Sequence, residues 1–157
     1  MFGILTPSLV NEAFEMVRPH IAATLKSHAK REHLAVVVTA TDVINPSSPN
    51  MTAKVDMFLI AHFGDKSAWE HDYEHIAISK AEKSMRTGKN TAELAPHYLL
   101  GRDTLFWGSV VLDDIVVACS GVESYYDEMF SMWIAAAVKA LAKKRFAELP
   151  AGTKFIE

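Results

Sequence analysis

One cysteine among 157 residues excludes an intramolecular disulfide and leaves no CxxC pair for a structural zinc. That residue, Cys119, lies inside the apolar run IVVACSGV, where a small buried hydrophobe is expected and a nucleophile is not. Positive charge is also scarce. Against 19 Asp and Glu stand 16 Lys and Arg, a formal net charge of −3, so the basic footprint of a nucleic-acid or anionic-membrane binder is missing. The two short basic runs, KSHAKR and KALAKKR, fall near expected helix ends and suit the carbonyl-rich termini there. No apolar run approaches the ~18 residues of a membrane span. The opening MFGILTPSLVNEAF has no charged stretch ahead of a long apolar one, so no signal peptide is expected. A Gly-rich phosphate loop and a legible nucleophile–base–orienter set are absent too. These absences predict a soluble, cytoplasmic chain with neither nucleic acid nor membrane as partner.

What remains is globular. Half of the residues are hydrophobic and 22% charged, too apolar for a disordered chain. The length suits a single domain over residues 1–157, enough to bury roughly 68–70% of the unfolded surface. A helix is predicted from LTPSLVNEAFEMVRPHIAATLKS: Thr6 can cap it, Pro7 suits the first turn, and Val10, Phe14, Val17, Ile21 and Leu25 recur at helical spacing. Pro19 inside that run predicts a kink or an exposed break. Strands are predicted near 34–43 and 55–63, joined across the turn-rich NPSSPNMTAK. A second hairpin is expected near 109–113 and 115–122, with Asp113 and Asp114 at its turn. SYYDEMFSMWIAAAVKALAKKRFAEL reads as a closing helix, with Ser124 as cap and Asp127 three residues on. Helix, two strands, helices, two strands and helix together predict an α/β (α+β) sandwich, an antiparallel sheet with helices on its faces.

WEHDYEHIAISKAEKSMRTGKNT, Trp69 to Thr91, concentrates acids, histidines and lysines in one apparent helix. At 3.6 residues per turn Trp69, Tyr73, Ile76, Ala77, Ala81 and Ser84 share a face, with His71, His75, Glu82 and Arg86 opposite. His71 and His75, four apart, could clamp a metal if a third ligand such as His62 arrived, but two histidines alone are a weak motif and HEXXH is absent. A solvated face or a subunit contact is the plainer reading. Lys80 is different, because it falls in the middle of the apolar stripe. An unpaired ammonium there is costly, so it needs an acceptor: an internal ion pair with Asp42, Asp65 or Asp127, an anion at the mouth of a pocket, or both.

The segment IAISKAEKSMRTGKNTAEL resembles the helix of GlcG/HbpS-like domains, with Ala77, Lys80, Ala81, Gly88 and Thr91 at matching positions. GSVVLDDIVVACSGVESYYDEM resembles the family's last hairpin and helix start, with Gly108, Gly121, Val122, Asp127 and Glu128 matching. The resemblance implies a profilin-like sandwich that commonly assembles into homo-oligomers. Family members include haem-binding sensors, domains attached to corrinoid enzymes and proteins encoded beside catabolic genes. Two differences matter. Trp107 stands where the family has the first glycine of a pair, and the segment VESYYDE is shorter than the family's glycine-rich loop. Both place bulk where haem would approach and favour a smaller ligand.

Three functions follow as expectations. The first is a small-molecule or cofactor-binding protein, haem being the family's suggestion. Its site would comprise Lys80, Tyr73, Tyr125, Tyr126, Asp127, Glu128 and Trp107. The second is an enzyme acting on a small carboxylate or aromatic substrate, with Lys80 in the pocket and no assignable catalytic residue. The third is a structural oligomeric module, suggested by Met129, Met132 and Tyr125 on the closing helix. A homo-oligomer is expected because Met129, Met132 and Phe146 lie off that helix's core stripe.

Overall fold

The computed structural model describes residues 3–44 and 57–156. Its elements are α1 (Pro7–Ser27), β1 (Leu34–Ala40), β2 (Leu59–Phe63), α2 (Tyr73–Thr87), β3 (Ser109–Leu112), β4 (Ile115–Ser120) and α3 (Ser124–Ala147). Short 3-10 turns at Lys66–Ala68, Thr91–Glu93 and Pro96–Tyr98 flank α2. The strands form one antiparallel sheet in the order β2-β1-β4-β3. This is the predicted α+β architecture.

Strand alternation decides which helix covers which face. Leu34, Val36 and Val38 of β1 join Val117 and Cys119 of β4 in a core with α1 and α3, through Phe14, Ile21, Phe130 and Ile134. Ala35 and Val37, with Val116 and Ala118, point the other way and meet Tyr73, Ala77, Ala81 and Met85 of α2. The smaller side chains of this second face let α2 approach the sheet closely. The β3–β4 turn places Asp113 and Asp114 at φ 47 and 66, the two left-handed positions of a type I′ turn.

The local expectations hold unevenly. Thr6 caps α1, its Oγ1 accepting from Leu9 N at 3.2 Å. The helix continues through Pro19, whose exposed position lets water satisfy the carbonyl that loses its donor, so the expected break does not occur. β1 stops at Ala40, paired with Ile115, because the chain then turns and Thr41 bonds Asp114 instead. The tip of the first hairpin, residues 45–56, lies outside the described residues. Glu123, not Ser124, occupies the cap position of α3, and no side-chain cap bond forms there. Met129 and Met132 are packed partly against the chain's own core, whereas Phe146 is exposed.

Candidate functional site

α2 begins later than its composition suggests. Asp72 caps it, with Oδ1 accepting from His75 N at 3.0 Å, so Trp69 to His71 precede the helix. His71 and His75 therefore do not share a helical face. Both are exposed, as is His62, whose ring meets Trp69 edge-on. Among the described residues no group of three or more His, Cys, Asp or Glu is arranged to hold a metal ion.

Lys80 is 1% exposed. Its Nζ donates to Asp127 Oδ2 and to the backbone oxygen of Cys119, each at 2.9 Å. Asp127 is 2% exposed and its Oδ1 also accepts from Val122 N at 3.4 Å. Burial pushes the Asp127 carboxyl up to about 6, although Lys80 pulls it back. The pair therefore joins the middle of α2, the end of β4 and the first turn of α3.

Two glycines make that junction possible. At Gly108, φ is 139° and a Cβ would lie 2.8 Å from Asp127 Cβ and 3.3 Å from Lys80 Nζ. At Gly121, φ is 151° and a Cβ would lie 2.2 Å from His33 O, inside the neighbouring backbone. Any side chain at either position would push β3 off α3 or β4 off the start of β1. A buried hydroxyl network supports the same corner. Thr91 Oγ1 accepts from Gly108 N and Ser109 N at 2.9 and 3.0 Å, and Ser109 Oγ donates to Lys80 O at 2.9 Å.

Beside the pair opens a cavity of about 220 Å³. Lys80 and Asp127 form part of its wall, with Tyr73 and Ile76 from α2, Ser120 to Val122 at the end of β4, and Ser124 from α3. Lys30, Arg31, His71 and Phe106 complete it. Arg31 Nη1 donates a short hydrogen bond to Tyr73 Oη, and the guanidinium sits 5.6 Å above the Tyr73 ring. Lys30 N donates to Glu123 Oε1 at 2.9 Å, tying the turn after α1 to the start of α3. Ser124 brings the start of α3 to this side, and a helix start of this length carries partial positive charge. With Lys80 and Asp127 neutralising each other, the charged groups left in the lining are Lys30 and Arg31, and the Glu123 carboxylate stands against Lys30.

Of the residues singled out in the sequence, the structure brings Lys80, Asp127, Tyr73 and His71 to this cavity. Trp107 is partly buried but is not part of the lining, where its neighbour Phe106 stands. Tyr125 is exposed and meets Tyr126 edge-on at 4.8 Å, while Tyr126 stacks on Phe130 at 6.3 Å. Glu128 is not part of the lining; its backbone nitrogen lies against Gly108. Lys30 and Arg31 belong to the KSHAKR run, whose charge the sequence reading assigned to a helix terminus. Their signal was the run itself, since two cations just before a central strand end up where the strands of the sheet end.

A second buried lysine was not foreseen. Lys83 is 2% exposed and its Nζ donates to Thr104 O at 2.7 Å and Phe106 O at 3.0 Å. Ser79 Oγ accepts from Thr104 N at 2.8 Å. Arg86 adds an ion pair with Asp103 and a 3.1 Å bond to Tyr98 O. Loop 98–106 is thereby strapped onto α2, and the strap delivers Phe106 to the cavity wall.

No family model matches the sequence, and no curated protein matches it. Two solved structures share the fold. The Klebsiella pneumoniae protein ORFY, assigned to the family DUF336, superposes with a TM-score of 0.53 at 12% identity, over 87% of this chain and 91% of that one. The Ybr137w protein gives a TM-score of 0.54 at 12% identity, over 88% and 78%. At such identity the likeness is one of fold. The α+β architecture formed by the described residues is thus one that other proteins also adopt.

Proposed function

We propose that this chain is a small-molecule-binding protein of the GlcG/HbpS type, a single domain whose cavity holds a small organic anion. The fold shared with a DUF336 protein supports the family reading, together with the Lys80, Gly108, Gly121 and Asp127 matches. The observation that carries the ligand reading is the buried Lys80–Asp127 pair, set in the wall of a 220 Å³ cavity that has Lys30 and Arg31 at its edge. A carboxylate entering there meets Arg31 and Lys30 beside the positive end of α3, while Tyr73 and Phe106 offer flat apolar walls. The volume favours a ligand smaller than haem. Pockets that enclose drug-sized ligands run to roughly 300–1,000 Å³, and a tetrapyrrole needs more room than this cavity gives. A cytoplasmic location fits a lone thiol in a chain with no disulfide. A part in the catabolism of small organic compounds rests on the resemblance alone.

Thermal shift against haemin, a corrinoid and a panel of small mono- and dicarboxylates tests this reading. Small carboxylates should raise the melting temperature of the native protein and leave Arg31→Gln unmoved. Stabilisation by none of them, or equal stabilisation of the variant, overturns it. A haemin complex with a Soret band that Arg31→Gln preserves would move the assignment to the cofactor.

A second reading, an enzyme on the same class of substrate, draws on Asp127. Its carboxyl, raised to about 6 by burial, stands in the wall of the cavity, so it could exchange a proton with a bound ligand. Turnover of a carboxylate that binds, lost in Asp127→Asn with binding retained, would separate enzyme from binder.

A further inference from the structure

Phe106 differs from the rest of the cavity wall in how it is held. It is 59% exposed, whereas Tyr73 in the same lining is 3% exposed. Its carbonyl accepts from Lys83 Nζ at 3.0 Å and its amide donates to Thr104 Oγ1 at 3.3 Å. Thr104 is fixed in turn, its carbonyl by Lys83 at 2.7 Å and its amide by Ser79 Oγ at 2.8 Å. With both polar groups of its backbone engaged, Phe106 has its ring left to offer the cavity. The clamp is an ammonium, buried, with no carboxylate among its hydrogen-bond partners. Burying that charge is costly, and what it secures is the position of an uncovered aromatic surface at the cavity.

We propose that the ligand of this cavity is an aromatic carboxylate, its ring laid against Phe106 and its carboxylate turned to Arg31. The proposal rests on the anion-binding reading and names the body of that anion. A flat ring gains more from an aromatic wall than an aliphatic body does, since offset or edge-on contact of two π systems adds to the area buried. Rigid presentation helps further, because no loop has to be ordered when the ligand enters. Ile76 of α2 and Val122 supply apolar surface elsewhere in the lining. A cavity of 220 Å³, below the roughly 300–1,000 Å³ that encloses drug-sized ligands, suits one ring with its carboxylate. Arg31 is placed for the acidic end by its hydrogen bond to Tyr73 Oη. Phe106 then sets specificity, and Lys83 is a positioning residue that acts through it.

Calorimetric titration of the native protein with benzoate and with cyclohexanecarboxylate, matched in charge and heavy-atom count, tests this. Benzoate should bind about 3–10-fold more tightly, the increment expected of an aromatic contact beyond equal burial. Phe106→Leu should bring the two dissociation constants together while barely changing that of cyclohexanecarboxylate. Lys83→Met should narrow the ratio in the same direction, whereas a merely structural loss would weaken both ligands alike and leave the ratio as it was. The benzoate proton resonances should shift on binding through the ring current of Phe106, and that shift should shrink in Phe106→Leu. Phe106→Leu changes an exposed residue and decides the matter alone if Lys83→Met fails to fold. Equal native affinities for the two acids overturn the inference and leave the anion-binding reading standing. A preference for benzoate that survives Phe106→Leu overturns it too, because the ring then lies elsewhere. If neither acid nor any other small carboxylate binds, the inference and the reading beneath it fall together.

Discussion

Lys80 and Lys83 stand three residues apart on one helix, both buried, and solve the same electrostatic problem in different ways. Lys80 faces a carboxylate, Asp127, with one backbone oxygen in support. Lys83 faces two backbone oxygens, Thr104 and Phe106, and has no carboxylate among its hydrogen-bond partners. The first arrangement joins two oppositely charged groups at the wall of a cavity, and either could exchange its partner for a ligand. The second uses a cation as a clamp, holding a loop by its carbonyl dipoles. Burial lowers the pKa of Lys83, and Asp103 nearby opposes that fall. A buried lysine is therefore not a site by virtue of being buried. What faces it, and whether open volume lies alongside, decides.

The comparison can be broken most forcefully at Asp127. Asp127→Ala leaves a buried ammonium with a single carbonyl, and a loss of about 3–5 kcal/mol in urea unfolding at pH 7 is expected. Lys80→Met with Asp127→Leu should cost clearly less than the sum of the single changes, because no charge is left behind. Additive costs would show that the two groups do not act as a pair.

Next in size is the pH dependence. The Asp127 carboxyl is raised from 3.8 to about 6, so the folded state holds its proton more tightly than the unfolded chain. That contribution to stability is full below pH 3.8 and is lost as pH rises through about 6. It amounts to something on the order of 3 kcal/mol, offset in part by other titrating groups. Urea midpoints of native protein and Asp127→Asn measured from pH 4 to 7 should diverge, the variant lacking this fall. Parallel curves would mean that Asp127 is not raised.

Lys83→Met should cost about 1–3 kcal/mol, the range for carbonyls that lose a charged donor while part of the loop can still reach water. Its signature should be local. Amide exchange at Thr104 and Phe106 should accelerate more than exchange in β4, whereas Asp127→Ala should accelerate both. The smallest effect is expected from Tyr73→Phe, which removes the hydroxyl that accepts from Arg31. About 1 kcal/mol of stability should go, with a larger proportional loss of carboxylate binding because Arg31 is no longer held over the cavity.

The order of elements was legible because each carries its own periodicity. Branched residues of β1 and β4, the double-aspartate turn and the long apolar stripe of α3 are local signals. So was the burial of Lys80, since helical phase alone puts it among Ile76, Ala77 and Ser84. Its partner was legible only in part. Helical phase left Asp42, Asp65 and Asp127 open as ion-pair partners, while the expected site already set Lys80 with Asp127 and Glu128; the pairing itself needs β4 to bring the start of α3 against α2. Lys83 escaped for a related reason. A helical wheel expects one buried stripe, but α2 is covered twice, by the sheet and by the loop before β3, and that loop has no periodicity to announce it. The late start of α2 could have been read. Asp72 three residues before His75 is a cap signal, and the aromatic and acidic residues upstream masked it.

Cys119 lies at the centre of the sheet, opposite Val36 in the β1–β4 ladder, and burial pushes its thiol up to about 12. At neutral pH almost no thiolate exists there and no reagent reaches it. Modification of this lone thiol must wait until β1 and β4 part. The molecule thus carries an internal clock. The rate at which a thiol reagent consumes Cys119 counts the openings of its central strands, and a ligand or a second copy that slows the count must act on the whole fold.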